Sequence, residues 1–205
     1  MPRTRRVARL LLLVIGIVCV GIYCEAWLYR TAYQMYDGWR FDHARAEPAR
    51  PRPSKRIALP TALPNDRGVA KSSISGTGWI VGRISIPRLH LSAMVEEGVD
   101  ESTLSRAVGH IPGTAFPGEI GNIGIAGHRD TFFEQLKDLR PNDEIDFTTH
   151  SGGFHYIVQS LTVVDPSDVG VLESKGGKAL TIVTCFPFHY VGNAPRRFIV
   201  HAVSE

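Results

Sequence analysis

The chain reads as an all-β domain, a barrel or sandwich of about 125 residues, set behind an N-terminal membrane helix and a proline-rich tether. Three observations predict this. An uncharged apolar run follows a cluster of arginines at the start of the chain. Residues 40–78 then hold five of the 13 prolines. From Trp79 onward, short runs rich in Val, Ile, Phe and Thr are broken by Gly- and Pro-marked turns. With 205 residues, 43% of them hydrophobic and 21% charged, the chain can bury one ordinary core. A disordered chain, a collagen-like repeat and a disulfide-stapled miniprotein are excluded.

Arg3, Arg5, Arg6 and Arg9 precede the first acidic residue, Glu25. Set these five aside and residues 30–205 carry equal numbers of basic and acidic side chains, so the net charge of +3 is no nucleic-acid footprint. Leu10 to Tyr23 is uncharged, and Ala26, Trp27, Leu28 and Tyr29 extend the apolar run. As a helix, residues 10–29 span about 30 Å, the hydrocarbon thickness of a bilayer. The arginines before the run keep the N-terminus in the cytoplasm by the positive-inside bias, which puts the rest of the chain outside the cytoplasmic membrane. Trp27, Tyr29 and Tyr33 suit an outer aromatic belt. A cleaved signal peptide is the competing reading, but no A-x-A site is present. Tyr23, before Cys24, is too bulky for a lipoprotein site.

Residues 31–78 are expected to form an extended tether. Pro48, Pro51, Pro53, Pro60 and Pro64 and the run Lys71-Ser-Ser-Ile-Ser-Gly-Thr-Gly78 lack a sustained apolar period, so they cannot offset their ordering entropy by burial. The domain proper is then 79–205, behind an anchor at 1–30. Within it the predicted strands are Trp79–Ile86, Ile123–Ala126, Glu144–Thr149, Phe154–Val164, Leu180–Thr184 and Arg197–Val203. The alternation Phe154, Tyr156, Val158 marks one buried sheet face. The one clear helix start is the capping-box pattern Thr131-Phe-Phe-Glu134.

Cysteine usage narrows the chemistry. Cys19 and Cys24 lie in or beside the anchor, so Cys185 is the single thiol of the domain and no disulfide can form within it. A buried structural cysteine is one reading. The other is a nucleophile, since Cys185 ends the strong strand Ala179–Thr184 and Phe186-Pro187-Phe188 breaks it at once. A thiol nucleophile needs a base or an electropositive neighbour. His128 ends the run Asn122–Gly127 and leads into the predicted helix, whose dipole would disfavour the imidazolium. His110 and His189 are the rival histidines. Arg196 and Arg197 open the last strand; paired antiparallel with 180–184, that strand starts beside Cys185. Arginine is no base but can hold an oxyanion. The glycines at 121, 124 and 127 do not make a dinucleotide fingerprint. No metal-ligand spacing joins Cys185 to the histidines, so neither metal nor cofactor is expected.

Three motifs carry a resemblance: Ala-Gly-His128-Arg-Asp-Thr-Phe-Phe, Thr-Cys185-Phe-Pro-Phe-His-Tyr-Val-Gly and the strand Arg197-Phe-Ile-Val. Together, from about Trp79 to Ala202, they resemble the sortases, membrane-anchored cysteine transpeptidases of the bacterial envelope. Thr-Cys-x-Pro-Phe with Gly-His-Ile-Pro-Gly-Thr at 109–114 looks most like class D. The resemblance implies an eight-stranded sortase-type β-barrel with short helices. It makes His128 the general acid and base, Cys185 the nucleophile and Arg197 the oxyanion stabiliser, with Thr184 and Ala126 against the substrate. It further implies that secreted proteins with a C-terminal Leu-Pro-x-Thr-Gly-like motif are cleaved through a thioacyl enzyme. The acyl group then passes to an envelope amine, on a peptidoglycan precursor or another protein subunit. Two other classes compete. One is a membrane-tethered extracytoplasmic binding module with a buried cysteine. The other is a cell-wall L,D-transpeptidase, whose Ser-His-Gly-Cys signature is missing around Cys185.

Overall fold

In the computed structural model the described residues are 2–46, 79–174 and 176–204. Eight strands close into a barrel: β1 (Ile80–Ile86), β2 (Leu91–Glu97), β3 (Val108–His110), β4 (Gly121–Ala126), β5 (Glu144–Thr148), β6 (Gly153–Val164), β7 (Lys178–Phe186) and β8 (Arg196–Ser204). Their order around the barrel is β1-β2-β3-β4-β7-β8-β6-β5, with β1 pairing β5 to shut the ring. Two pairs are parallel, β2 with β3 and β4 with β7; the rest are antiparallel. The expected eight-stranded barrel is therefore present, and closure leaves no open sheet edge.

Inward side chains fill the interior, among them Ile84, Ile125, Phe147, Tyr156, Leu180 and Val200. Tyr156 and Val158 face the core as the alternation predicts. A bulge between Val158 and Ser160 resets the phase for the rest of β6, which is why its second half pairs β8 without a clean alternation.

Two strands, β2 and β3, have no counterpart in the sequence reading. β3 has only three residues. In β2, Leu91, Ala93 and Val95 join the core while Met94 and Glu96 are also buried, so the expected polar face is missing. The cause is a long helix. α1 (Pro2–Ala46) contains the apolar run and continues past it to lie on the outer face of β2. The Gln34 side-chain amide acts there as a surrogate peptide group. Its Oε1 accepts from Met94 N–H at 2.9 Å and its Nε2 donates to Arg106 C=O at 2.7 Å. Tyr33 donates its hydroxyl to buried Glu96 at 2.6 Å. Glu96 also takes the Arg106 guanidinium at 2.7 Å, and that guanidinium lies 5.6 Å from the Tyr33 ring centroid. A buried carboxylate is tolerable only with such partners.

These contacts correct the tether. Residues 31–46, expected to be extended, are helical, because Tyr33, Gln34 and Gly38 find partners on the barrel. The proline-bearing stretch 47–78 lies outside the described residues. Val7–Tyr36 is long and apolar enough to cross a membrane.

Candidate active site

Three neighbouring strands bring the expected residues together. β4 and β7 run parallel, with Ala126 opposite Val183, so both deliver their C-terminal ends to the same rim. β8 returns antiparallel to β7, and in that register Cys185 is the cross-strand partner of Arg197. His128 follows β4 by two residues. His128, Cys185 and Arg197 line one cavity of about 300 Å3, together with Arg129, Asp130 and the loop residues Gly192, Asn193 and Ala194. Cys185 is half-buried there, neither sealed in the core nor fully exposed.

Burial separates the rival candidates. His110 is fully enclosed: Nδ1 is 2.6 Å from Glu97 Oε2, Nε2 is 2.9 Å from Ala115 O, and the ring stacks on Phe116. It is a brace for the Gly109–Thr114 turn, where Thr114 Oγ1 also accepts from Gly124 N–H at 3.0 Å. His189 is exposed and does not line the cavity. Arg196 is exposed, whereas Arg197 is half-buried with Nη1 donating to Ala194 O at 3.3 Å and Arg196 O at 3.1 Å. Nε and Nη2 of Arg197 have no partner among the described residues, so those donors remain for a ligand.

Two expectations need correction. The capping box after His128 does not form. Residues 130–133 make turns, then a 3-10 helix of five residues (Glu134–Asp138) begins without a side-chain cap. Thr131 Oγ1 is buried without a hydrogen-bond partner among the described residues. The turn is tightened instead by Phe133 N–H donating to His128 O at 3.2 Å. No helix dipole therefore bears on His128. Its charged neighbour is Glu101, whose Oε1 lies 3.7 Å from Nε2. Glu101 begins the one-turn helix α2 (Glu101–Leu104), fixed by its N-cap Asp100, whose carboxylate accepts from Thr103 N–H. Hydrogen bonds from Ser102 and Thr103 hold the Asp100 carboxyl down to about 2. Glu101 carried no signal in the sequence, since it belongs to none of the motifs and stands 27 residues before His128.

Thr184, expected against substrate, turns its hydroxyl inward and donates to Gly127 O at 2.7 Å. It is a strut between β7 and the His128 segment. Ala126 is half-buried at the end of β4 and is not among the cavity's lining residues. Gly127 is held from both sides, since its own N–H donates to Val183 O at 3.2 Å. A methyl group on Gly127 would sit 2.7 Å from the ring of Phe133, which is fully buried. Glycine is what lets Phe133 pack beneath the histidine.

A closed β-barrel with a cysteine, a histidine and an arginine at one rim is an architecture that a known family shares. The sortase domain family matches residues 84–205. The chain belongs to the sortase family. It is 35% identical over 126 residues to "Sortase D" of Bacillus subtilis, covering 61% of this chain and 64% of that relative. Less than two thirds of the relative's length is thus spanned. Among solved structures it is similar to the Clostridium perfringens Sortase D5 transpeptidase (35% identity, TM-score 0.54, covering 60% of this chain and 78% of that one). It is likewise similar to Sortase A from Corynebacterium diphtheriae (30% identity, TM-score 0.58, covering 62% and 61%).

Proposed function

We propose that this protein is a class D-like sortase, a cysteine transpeptidase that cleaves a C-terminal Leu-Pro-x-Thr-Gly-like motif of secreted proteins and passes the acyl group to an envelope amine. The observation that carries the reading is the pairing of Cys185 with Arg197 across β7 and β8, in one cavity with His128. The Cys185 thiol passes its proton to His128, and Sγ attacks the scissile carbonyl and forms a carbon–sulfur bond. Charge that develops on the carbonyl oxygen meets the unpartnered donors of Arg197. His128 gives a proton to the departing amine as the carbon–nitrogen bond breaks. The acceptor amine then attacks the thioester, its proton goes to His128, and the thiolate leaves.

The layout proposed with it is an anchor at 1–30 with its N-terminus in the cytoplasm, a connecting segment, and a catalytic domain at 79–205 outside the membrane. A binding module with a structural cysteine is the less favoured reading, because Cys185 lines a cavity instead of the core.

Single substitutions test the assignment. Cys185→Ala and His128→Ala should each abolish cleavage of a sorting-motif peptide with the fold retained. Arg197→Lys keeps charge but loses the planar fork, and should cost on the order of a hundredfold in rate. Arg196→Lys should be close to neutral, since Arg196 points to solvent. Activity surviving Cys185→Ala would falsify the enzyme reading.

A further inference from the structure

Arg129 follows His128, yet the proposed chemistry gives it no role. It is 9% exposed, the deepest charge in the cavity wall. Its Nη2 reaches across to the loop joining β7 and β8 and donates to two carbonyls, Tyr190 O at 2.7 Å and Gly192 O at 3.1 Å. Its guanidinium carbon lies 5.8 Å from the Tyr190 ring centroid, a cation–π contact. Nη1 is enclosed and has no partner among the described residues.

The loop it holds is anchored at its start by Phe188, which packs on Phe198 and the core, and near its end by Arg197, while its middle is exposed. Val191 is 99% exposed, and Gly192 and Asn193 are exposed on the cavity's rim. Hydrogen bonds from charged donors are the stronger ones, so two of them to the exposed middle of one short loop dominate its placement. A buried donor without a partner is uncommon in a guanidinium that only supports the fold.

We propose that Arg129 is the positioning residue that latches the 187–195 loop to the His128 segment and so sets the wall against which the peptide is bound beside Cys185. This rests on the proposed sortase reading for the identity of the peptide, but not for the latch itself. The latch fixes Gly192, Asn193 and Ala194 relative to His128 before substrate arrives, and binding then avoids the cost of ordering them. The loop receives a further tie at Ala194, whose carbonyl accepts from Arg197 Nη1, so both arginines hold it. Loss of Arg129 should loosen the binding wall without touching the reacting atoms.

The test uses the full chain in detergent, with Cys19 and Cys24 replaced by alanine so that Cys185 is the sole thiol. Three measurements are made: peptide-cleavage kinetics giving kcat and KM on a sorting-motif peptide, the alkylation rate of Cys185 by iodoacetamide, and limited proteolysis at the loop. Arg129→Met keeps length and apolar packing but removes the donors. It should raise KM about tenfold, the effect of roughly 1.4 kcal/mol of lost preorganisation, with kcat within about twofold. Alkylation and loop cleavage should both quicken. Arg129→Lys, a single ammonium unable to reach two carbonyls in plane, should fall between. Tyr190→Leu removes the ring and keeps the carbonyl, and should shift KM the same way by less. Should Arg129→Met fail to fold, Arg129→Lys and Tyr190→Leu carry the same three readouts. The proposal is overturned if KM, alkylation and loop cleavage all stay at the parent values. It is also overturned if kcat falls with KM and the melting temperature drops, which marks a merely structural residue. If the parent chain cleaves no sorting peptide, the functional reading fails, while alkylation and proteolysis still decide the latch.

Discussion

Gly127→Ala puts the packing beneath His128 to a quantitative test. The added carbon would stand 2.7 Å from Phe133 Cδ2 and Cε2 and 3.1 Å from Val108 Cγ1. Ordinary carbon contacts lie at about 3.5–4.0 Å, so roughly 1 Å must be found somewhere. Phe133 and Val108 are fully buried and have no free space to retreat into. The Gly127 backbone is tied to Val183 O and Thr184 Oγ1. What can yield is the segment beyond these ties, which is His128. Overpacking of this size costs about 1–3 kcal/mol, or several degrees in melting temperature for a domain of this length. A displacement of about 1 Å at a reacting group costs on the order of a hundredfold in rate. Thermal unfolding and peptide cleavage should therefore fall together. Phe133→Leu makes room at the cost of a cavity, so in the double variant the two penalties should offset by about 1 kcal/mol or more. If Gly127→Ala keeps parent activity and melting temperature, or the two changes simply add, the account of how His128 is seated is wrong.

Arg106→Met strands the Glu96 carboxylate in its enclosed site with Tyr33 as its remaining partner, so urea unfolding should show a loss of about 3–5 kcal/mol. Glu96→Gln should cost less, because the Arg106 guanidinium left behind is partly exposed and still meets an amide oxygen. Burial pushes the Tyr156 hydroxyl up to about 12. A group raised above its unfolded value lends stability below the unfolded pKa and loses it as pH climbs toward the folded one, so stability should decline between about pH 10 and 12. Tyr156→Phe should flatten that decline in alkaline unfolding curves; an unchanged slope would assign it to other groups.

The sequence made the rim of the barrel more legible than its wall. Cys185, His128 and Arg197 stand at strand ends beside breaks in the pattern, where Pro187 and the Gly127-His128 junction mark the chain leaving the sheet. Strands with one wet face, such as the first half of β6, announce themselves by alternation. β2 does not, because α1 covers its outer face and buries Met94 and Glu96 there as well. A strand buried on both sides has no period to read, and a carboxylate within it argues against burial unless its partner is known. Arg106 and Tyr33, which make Glu96 tolerable, are separated from it by ten and 63 residues. The capping box fails for a related reason. Phe133 is drawn into the core under Gly127, and its descent takes up the turn that a regular helix would have used.

The Gln34 amide has a consequence for where the chemistry can happen. A domain joined to its anchor only by a leash sweeps a hemisphere, and its site can face any direction. Here the helix that carries the apolar run also grips the barrel, through Tyr33, Gln34 and Gly38. Gln34 lies five residues past Tyr29, about 8 Å along the helix axis. Whatever length of chain runs through residues 47–78, it does not decide how far the barrel stands from the end of the apolar run. That distance is set by two side chains, and so is the compass bearing of the cavity around the helix. The barrel is mounted like a lamp on a bracket.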